Sequence, residues 1–248
     1  MTNDPTRVTR VPTSPDESTK QLPLVVLSGA SRGIGRATAI ELGRRGARLA
    51  LIGRNSAAQA ETHAALTELS IDYGFYDAEL EEAASVIGAA RSVLEQQGVP
   101  DAVINNAATI DRAPVELMSL GSWDRQLAVN LRAPFLLVSA FLPAMRARHR
   151  GRFVQVASIA ATLGTANASA YCASKWGLVG FTKSLAEELR DSGLSAVAIL
   201  PGSVDTEMLV GSGFAPRMTA AQVAETVAHF ALIAPIAHNG ASIEMYGV

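Results

Sequence analysis

The sequence predicts an α/β domain in which a parallel sheet of about seven strands is doubly wound by helices. Three observations lead there. From Leu22 onward, short aliphatic and β-branched runs alternate with longer helical stretches, the pattern of repeated right-handed crossovers. Several runs, LVVL at 24–27 and AVAIL at 196–200, are apolar throughout, which suits strands buried on both faces. A glycine-rich turn leads straight from the first strand into the first helix.

The elements follow in order. Strands are predicted over Leu24–Ser28, Arg48–Ile52, Ile71–Phe75, Ala102–Asn105, Arg152–Ala157, Ser195–Leu200 and Ala241–Met245. Helices are predicted near 33–45, 56–69, 79–97, 120–147, 170–191 and 219–234. The fifth carries Leu178, Thr182, Leu185 and Leu189 at spacings of three and four, which line one face. The last opens with Thr219 and Gln222 at the spacing of a capping box. No internal repeat and no linker interrupts this series, so residues 22–248 are expected to form one domain. Residues 1–21 are polar, with Pro5, Pro12 and Pro15, and read as a disordered arm without the apolar stretch of a secretory signal.

Composition narrows the function. The chain has 248 residues, 48% hydrophobic and 18% charged, which excludes wholesale disorder. Aromatic residues make up only 5%, so the core must be built from Ala, Val, Leu and Ile. A net charge of −2 offers no basic field for nucleic acid or an anionic membrane. The uncharged runs 153–174 and 226–243 are broken by polar residues, and no membrane span is expected. The single cysteine, Cys172, excludes an internal disulfide, fits a reducing, cytoplasmic compartment, and reads as a small buried filler. The four histidines, His63, His149, His229 and His238, have no ligand spacing, so no metal site is expected.

The turn Ser28-Gly29-Ala30-Ser31-Arg32-Gly33-Ile34-Gly35 carries the first functional signal. Glycines let backbone approach a ligand closely, and the helix N-terminus presents unpaired N–H groups to a pyrophosphate. The spacing is Gly-x3-Gly-x-Gly. This octet resembles the T-G-x3-G-x-G turn of the short-chain dehydrogenase/reductase family, with Ser28 in place of Thr. That resemblance, which runs from Leu22 to the C-terminus, implies a Rossmann-type domain. Asn105-Asn106-Ala107-Ala108 resembles the family's Asn-Asn-Ala-Gly element, with Ala108 standing where the family has Gly. A positive φ would be disfavoured there, so a small adjustment of the loop is expected.

Tyr171-Cys172-Ala173-Ser174-Lys175 puts Tyr171 and Lys175 four apart, on one helix face. Such a pair alone is weak evidence, because tyrosines on helices usually serve the core and lysines usually face solvent. Ser158 lies 13 residues upstream of Tyr171, just after a strand, and Asn130 lies in VNLRAPF. Together Asn130, Ser158, Tyr171 and Lys175 resemble the family's catalytic tetrad. A phenol can donate or accept the proton that carbonyl–alcohol interconversion requires. Its free pKa of about 10 is high for a base, and a nearby ammonium is expected to lower it. The resemblance implies that Ser158 holds the substrate oxygen and that Lys175 bonds the nicotinamide ribose. It also implies that Asn130 positions a water leading to Lys175; from the residue alone, Asn130 equally suits a helix kink.

The resemblance implies a nicotinamide cofactor contacted by Gly29, Ser31, Arg32, Gly33, Ile34, Gly35, Asn106, Ala107, Tyr171 and Lys175. Pro201, Gly202, Val204 and Thr206 resemble the element that flanks the nicotinamide, and Asp77, with Ala78 beside it, matches an Asp that bonds adenine. A carboxylate closing the second strand would bind a ribose diol and repel a 2′-phosphate. Here that position reads Gly53-Arg54-Asn55, with Arg54 and Arg32 as candidate phosphate cations, so NADP(H) is expected over NAD(H). The segment 207–217, with Met208, Leu209, Val210, Phe214, Gly211 and Gly213, is expected to form a mobile lid over a small carbonyl or alcohol substrate. The expected activity is an NADP(H)-dependent oxidoreductase. An NAD-dependent alcohol dehydrogenase and a non-catalytic nucleotide-sensing module remain alternatives. The family resemblance also implies a homo-oligomer, dimer or tetramer.

Overall fold

The computed structural model describes residues 22–247; the arm predicted over residues 1–21 lies outside them. Seven parallel strands form one sheet in the order β3-β2-β1-β4-β5-β6-β7. They are β1 (Leu24–Ser28), β2 (Arg48–Gly53), β3 (Tyr73–Asp77), β4 (Ala102–Asn105), β5 (Gly151–Val156), β6 (Leu194–Pro201) and β7 (Ser242–Met245). The helices are α1 (Gly33–Arg44), α2 (Ala57–Glu68), α3 (Ala83–Gln96), α4 (Leu120–Leu127), α5 (Ala133–Ala147), α6 (Ser169–Glu188) and α7 (Ala220–Leu232).

Side chains alternate across the sheet and feed two cores. Val26, Ile52, Val103 and Phe153 pack on one face against α3, α5 and α6, with Phe141 and Met145 fully buried there. Leu27, Leu51, Ile104 and Val154 pack on the other face against α1, α2 and α7. The helical stripe Leu178, Thr182, Leu185 and Leu189 is buried as its spacing requires. The capping box at Thr219 and Gln222 is formed in both directions.

Four expectations are corrected. The third strand lies two residues later than predicted, because Ser70 is left-handed (φ 55°) and the Ile71 amide still bonds the Leu66 carbonyl of α2. The predicted helix 79–97 begins only at Ala83; the Ser85 hydroxyl accepts from the Glu79 amide and holds the preceding residues in a turn. The predicted helix 120–147 is continuous, but it contains a π turn over Ala128–Arg132. By length and composition, this Leu120–Ala147 helix is apolar enough to cross a membrane, contrary to the expectation that no segment would be. Its bracketing charges hide that run in the sequence, and here Leu137, Val138, Phe141 and Met145 pack its inner face into the core.

Two glycines of the turn are fixed by contact. A Cβ on Gly29 (φ 72°) would stand 2.6 Å from the Ala107 Cα, and one on Gly35 would stand 2.0 Å from the Gly29 carbonyl oxygen. The β1 turn and the loop after β4 therefore close on each other. Asn106 ties them, its amide nitrogen donating to the Gly29 carbonyl at 2.8 Å, while Ser28 Oγ accepts from the Asn106 and Ala107 amides. Ala108 does not adopt a positive φ, so the loop accommodates alanine without strain.

Candidate active site

The carboxyl ends of β1, β4, β5 and β6 open into a cleft of about 850 Å³. Strand order reverses between β1 and β4, the place where open α/β sheets leave a crevice. Of the residues predicted to meet a cofactor, Gly29, Ser31, Arg32, Gly33, Ile34, Gly35, Arg54, Asn106, Ala107, Tyr171, Lys175, Pro201, Gly202, Val204 and Thr206 line it. Asn55, Asp77 and Ala78 do not line it; instead Asp77 Oδ1 accepts from the Asn55 amide at 2.9 Å and fixes the loop after β2. The α1 N-terminus opens toward the turn with no side chain capping its amides, so its donors are available to an anion.

Ser158 follows β5 and caps a 3₁₀ turn, its Oγ accepting from the Ala160 amide at 3.1 Å. Tyr171 and Lys175 stand one turn apart on α6, both buried. Lys175 Nζ donates to the Val156 carbonyl at 2.8 Å and lies 5.7 Å from the Tyr171 ring centre. An ammonium has three donors, so two remain for a ligand in the cleft. Burial lowers the Lys175 pKa to about 7.

Burial also raises the Tyr171 pKa, partly countered by the Ser158 hydroxyl and by the positive charge of Arg112. The expectation that Lys175 depresses this phenol is corrected. Desolvation drives both groups toward their neutral forms, and the lysine nitrogen is directed at a backbone carbonyl.

Asn130 sits inside the π turn. Its Oδ1 accepts from the Thr109 amide at 2.8 Å, and its Nδ2 donates to the Thr109 carbonyl at 2.9 Å and to Ser174 Oγ at 3.0 Å. Both amide protons are used, and none of these bonds reaches Lys175. Asn130 thus joins the loop after β4 to α6.

At the β2 end, Arg54 is exposed and, among the described residues, has no ion-pair partner. Arg32 does not join it. The extended backbone of Arg32 (φ −159°) sends its guanidinium to Glu207 at the start of the lid segment. Two further arginines were not anticipated from the sequence. Arg36 donates to the Ser31 and Ala58 carbonyls at 2.7 and 3.0 Å and pairs with Glu61, fastening α2 beside the turn. Arg112 donates to the Met208 and Val210 carbonyls of the lid at 3.1 and 3.4 Å. Neither belongs to a periodic pattern or motif that would have marked it.

A family model described as short chain dehydrogenase matches residues 23–213. An NADPH-dependent pterin aldehyde reductase of Arabidopsis thaliana is 32% identical over 188 residues, 75% of this chain and 76% of that protein. The crystal structure of a levodione reductase superposes with a TM-score of 0.85 at 27% identity, covering 91% of this chain and 96% of that one. A metagenomic short-chain oxidoreductase solved in complex with NADP gives 0.80 at 31% identity, covering 91% and 97%.

Proposed function

This chain belongs to the short-chain dehydrogenase/reductase family, and we propose that it is an NADP(H)-dependent oxidoreductase interconverting a carbonyl and an alcohol. The observation that carries the reading is the single cleft shared by the glycine turn, Arg54, Ser158, Tyr171 and Lys175. The residues present fit the cofactor chemically. The uncapped α1 amides suit a pyrophosphate, the two unengaged Lys175 donors suit a ribose, and Pro201, Gly202, Val204 and Thr206 suit the carboxamide end. Gly53 and Arg54 close the second strand with a guanidinium and no carboxylate, a choice that would suit a 2′-phosphate. When bound, the nicotinamide supplies or takes up the hydride.

The chain's own residues manage the proton and the oxygen. In reduction, Ser158 donates a hydrogen bond to the substrate oxygen, where negative charge develops. Tyr171 then transfers its phenolic proton to that oxygen, and in oxidation the phenolate takes it back. A phenol whose pKa is raised by burial is held protonated near neutrality, the form reduction needs. The exposed Leu120, Phe135 and Trp176 on α4, α5 and α6 support a homo-oligomer. A cytoplasmic setting is in keeping with the lone cysteine.

Cofactor choice is tested at Arg54. A hydrogen bond to a charged group contributes about 1.5–3 kcal/mol. Arg54→Ala should therefore weaken NADPH roughly 10- to 150-fold and leave NADH almost unchanged. Exposure of the side chain favours the lower end, and salt should narrow the preference. The ratio of the two dissociation constants, wild type against variant, checks it. A wild type that prefers NADH, or a ratio that does not move, overturns the NADP(H) assignment.

A further inference from the structure

We propose that Arg112 is the specificity-determining cation of the substrate end, selecting carbonyl and alcohol substrates that carry a carboxylate or comparable anionic group. The proposal rests on the oxidoreductase reading above and names its substrate class. Arg112 lines the same cleft as Ser158 and Tyr171 and is half-buried. Its only hydrogen-bond partners among the described residues are two neutral acceptors, the carbonyls of Met208 and Val210. A guanidinium has five N–H donors, so the two lid contacts orient the group and leave donors for a bidentate anion.

The neighbouring acids do not neutralise it. Glu207 is paired with Arg32, Asp111 is held by Arg125 and Ser122, and Asp205 is exposed without an ion-pair partner among the described residues. Arg125, the other basic residue of this end, is already matched by Asp111. Apart from Lys175, whose nitrogen is directed at the Val156 carbonyl, Arg112 is therefore the anchored cation of this end that no carboxylate matches among the described residues, and its charge favours the Tyr171 phenolate. An anionic substituent on the substrate is the ligand that completes it.

The test uses matched pairs. The reduction rates of 3-oxobutanoate and 4-oxopentanoate are compared with those of their methyl esters, in wild type, Arg112→Gln and Arg112→Lys. The wild type should favour each acid, by kcat/KM, roughly 10- to 100-fold over its ester, the worth of one charged hydrogen-bonded contact. Arg112→Gln should erase that preference by lowering kcat/KM for the acids far more than for the esters, and Arg112→Lys should keep part of it.

Binding is measured separately. Dissociation constants of butanoate and butanamide for the protein with NADPH, read by ligand-observed NMR, should show butanoate alone weakened in Arg112→Gln. Equal losses for acids and esters in Arg112→Gln would leave Arg112 a lid fastener only and overturn the proposal, as would a wild type that binds the amide as well as the acid. Absence of turnover on every carbonyl, with Arg112-dependent butanoate binding intact, would instead sink the oxidoreductase reading.

Discussion

Tyr171 keeps its proton because burial opposes the phenolate, and that fixes what the residue can be asked to do. Tyr171→Phe removes one hydroxyl from a buried ring and should leave the fold and NADPH affinity in place. Turnover should fall roughly 10²-fold or more, the scale of a lost general acid. Steady-state rates beside a fluorescence titration of cofactor check both halves of this expectation. Lys175 offers a second measurement. Unfolded, it holds its proton up to about 10.4; folded, it releases it at about 7. Between those values the unfolded chain binds more protons, so this residue makes stability rise with pH across that window. Melting curves at pH 7 and pH 9.5 should show a smaller pH gain for Lys175→Met than for wild type. An identical gain would mean that Lys175 titrates normally in the fold. The chemical residues were legible because each sits at a motif spacing. Arg36 and Arg112 were not, because their importance comes from backbone carbonyls that only the folded chain brings to them. The same reason separates Arg32 from Arg54, since sequence proximity to the turn does not show that Glu207 will claim it.

The crossing of β1 and its turn with the loop after β4 sets the cradle, and its tightest point is Gly35. A methyl there would meet a backbone oxygen that cannot move aside cheaply, so Gly35→Ala should destabilise by about 1–3 kcal/mol and weaken NADPH at least tenfold. Gly88→Ala on α3, where an added Cβ meets nothing within 4 Å, should instead be neutral or stabilising. Melting temperatures of the pair separate tight contact from helix propensity. All seven strands were readable from short aliphatic and β-branched runs alternating with helical stretches, and α7 from its cap. The two-residue offset at β3 was not, because Ile71 is apolar and β-branched yet buries itself against Gly43 while the backbone is still turning. The π turn was equally hidden. It depends on Asn130 bonding sideways to Thr109 and Ser174, contacts supplied by two other segments of the chain.

At the scale of the molecule, a ligand across the β1–β4 crevice touches segments from both halves of the sheet and so binds the folded state alone. NADPH at a hundred times its dissociation constant should add about 2.7 kcal/mol, roughly 5–10 °C for a domain of this size. NADH at the same concentration should add less, and thermal shift reads both. The strand order has a further meaning for how the chain is made. As it leaves the ribosome, β2 and then β3 add to one side of β1, and β4, β5, β6 and β7 then add to the other in turn. Each arriving strand finds its neighbour already synthesised and sits on an open edge, so no finished pair must be parted to admit a late one. That order needs no rearrangement of strands already paired. It also staggers the two parts of the site. The glycine turn and the loop that closes on it are both present once Ala107 has emerged, whereas Ser158, Tyr171, Lys175 and the segment 201–206 that complete the cleft arrive later.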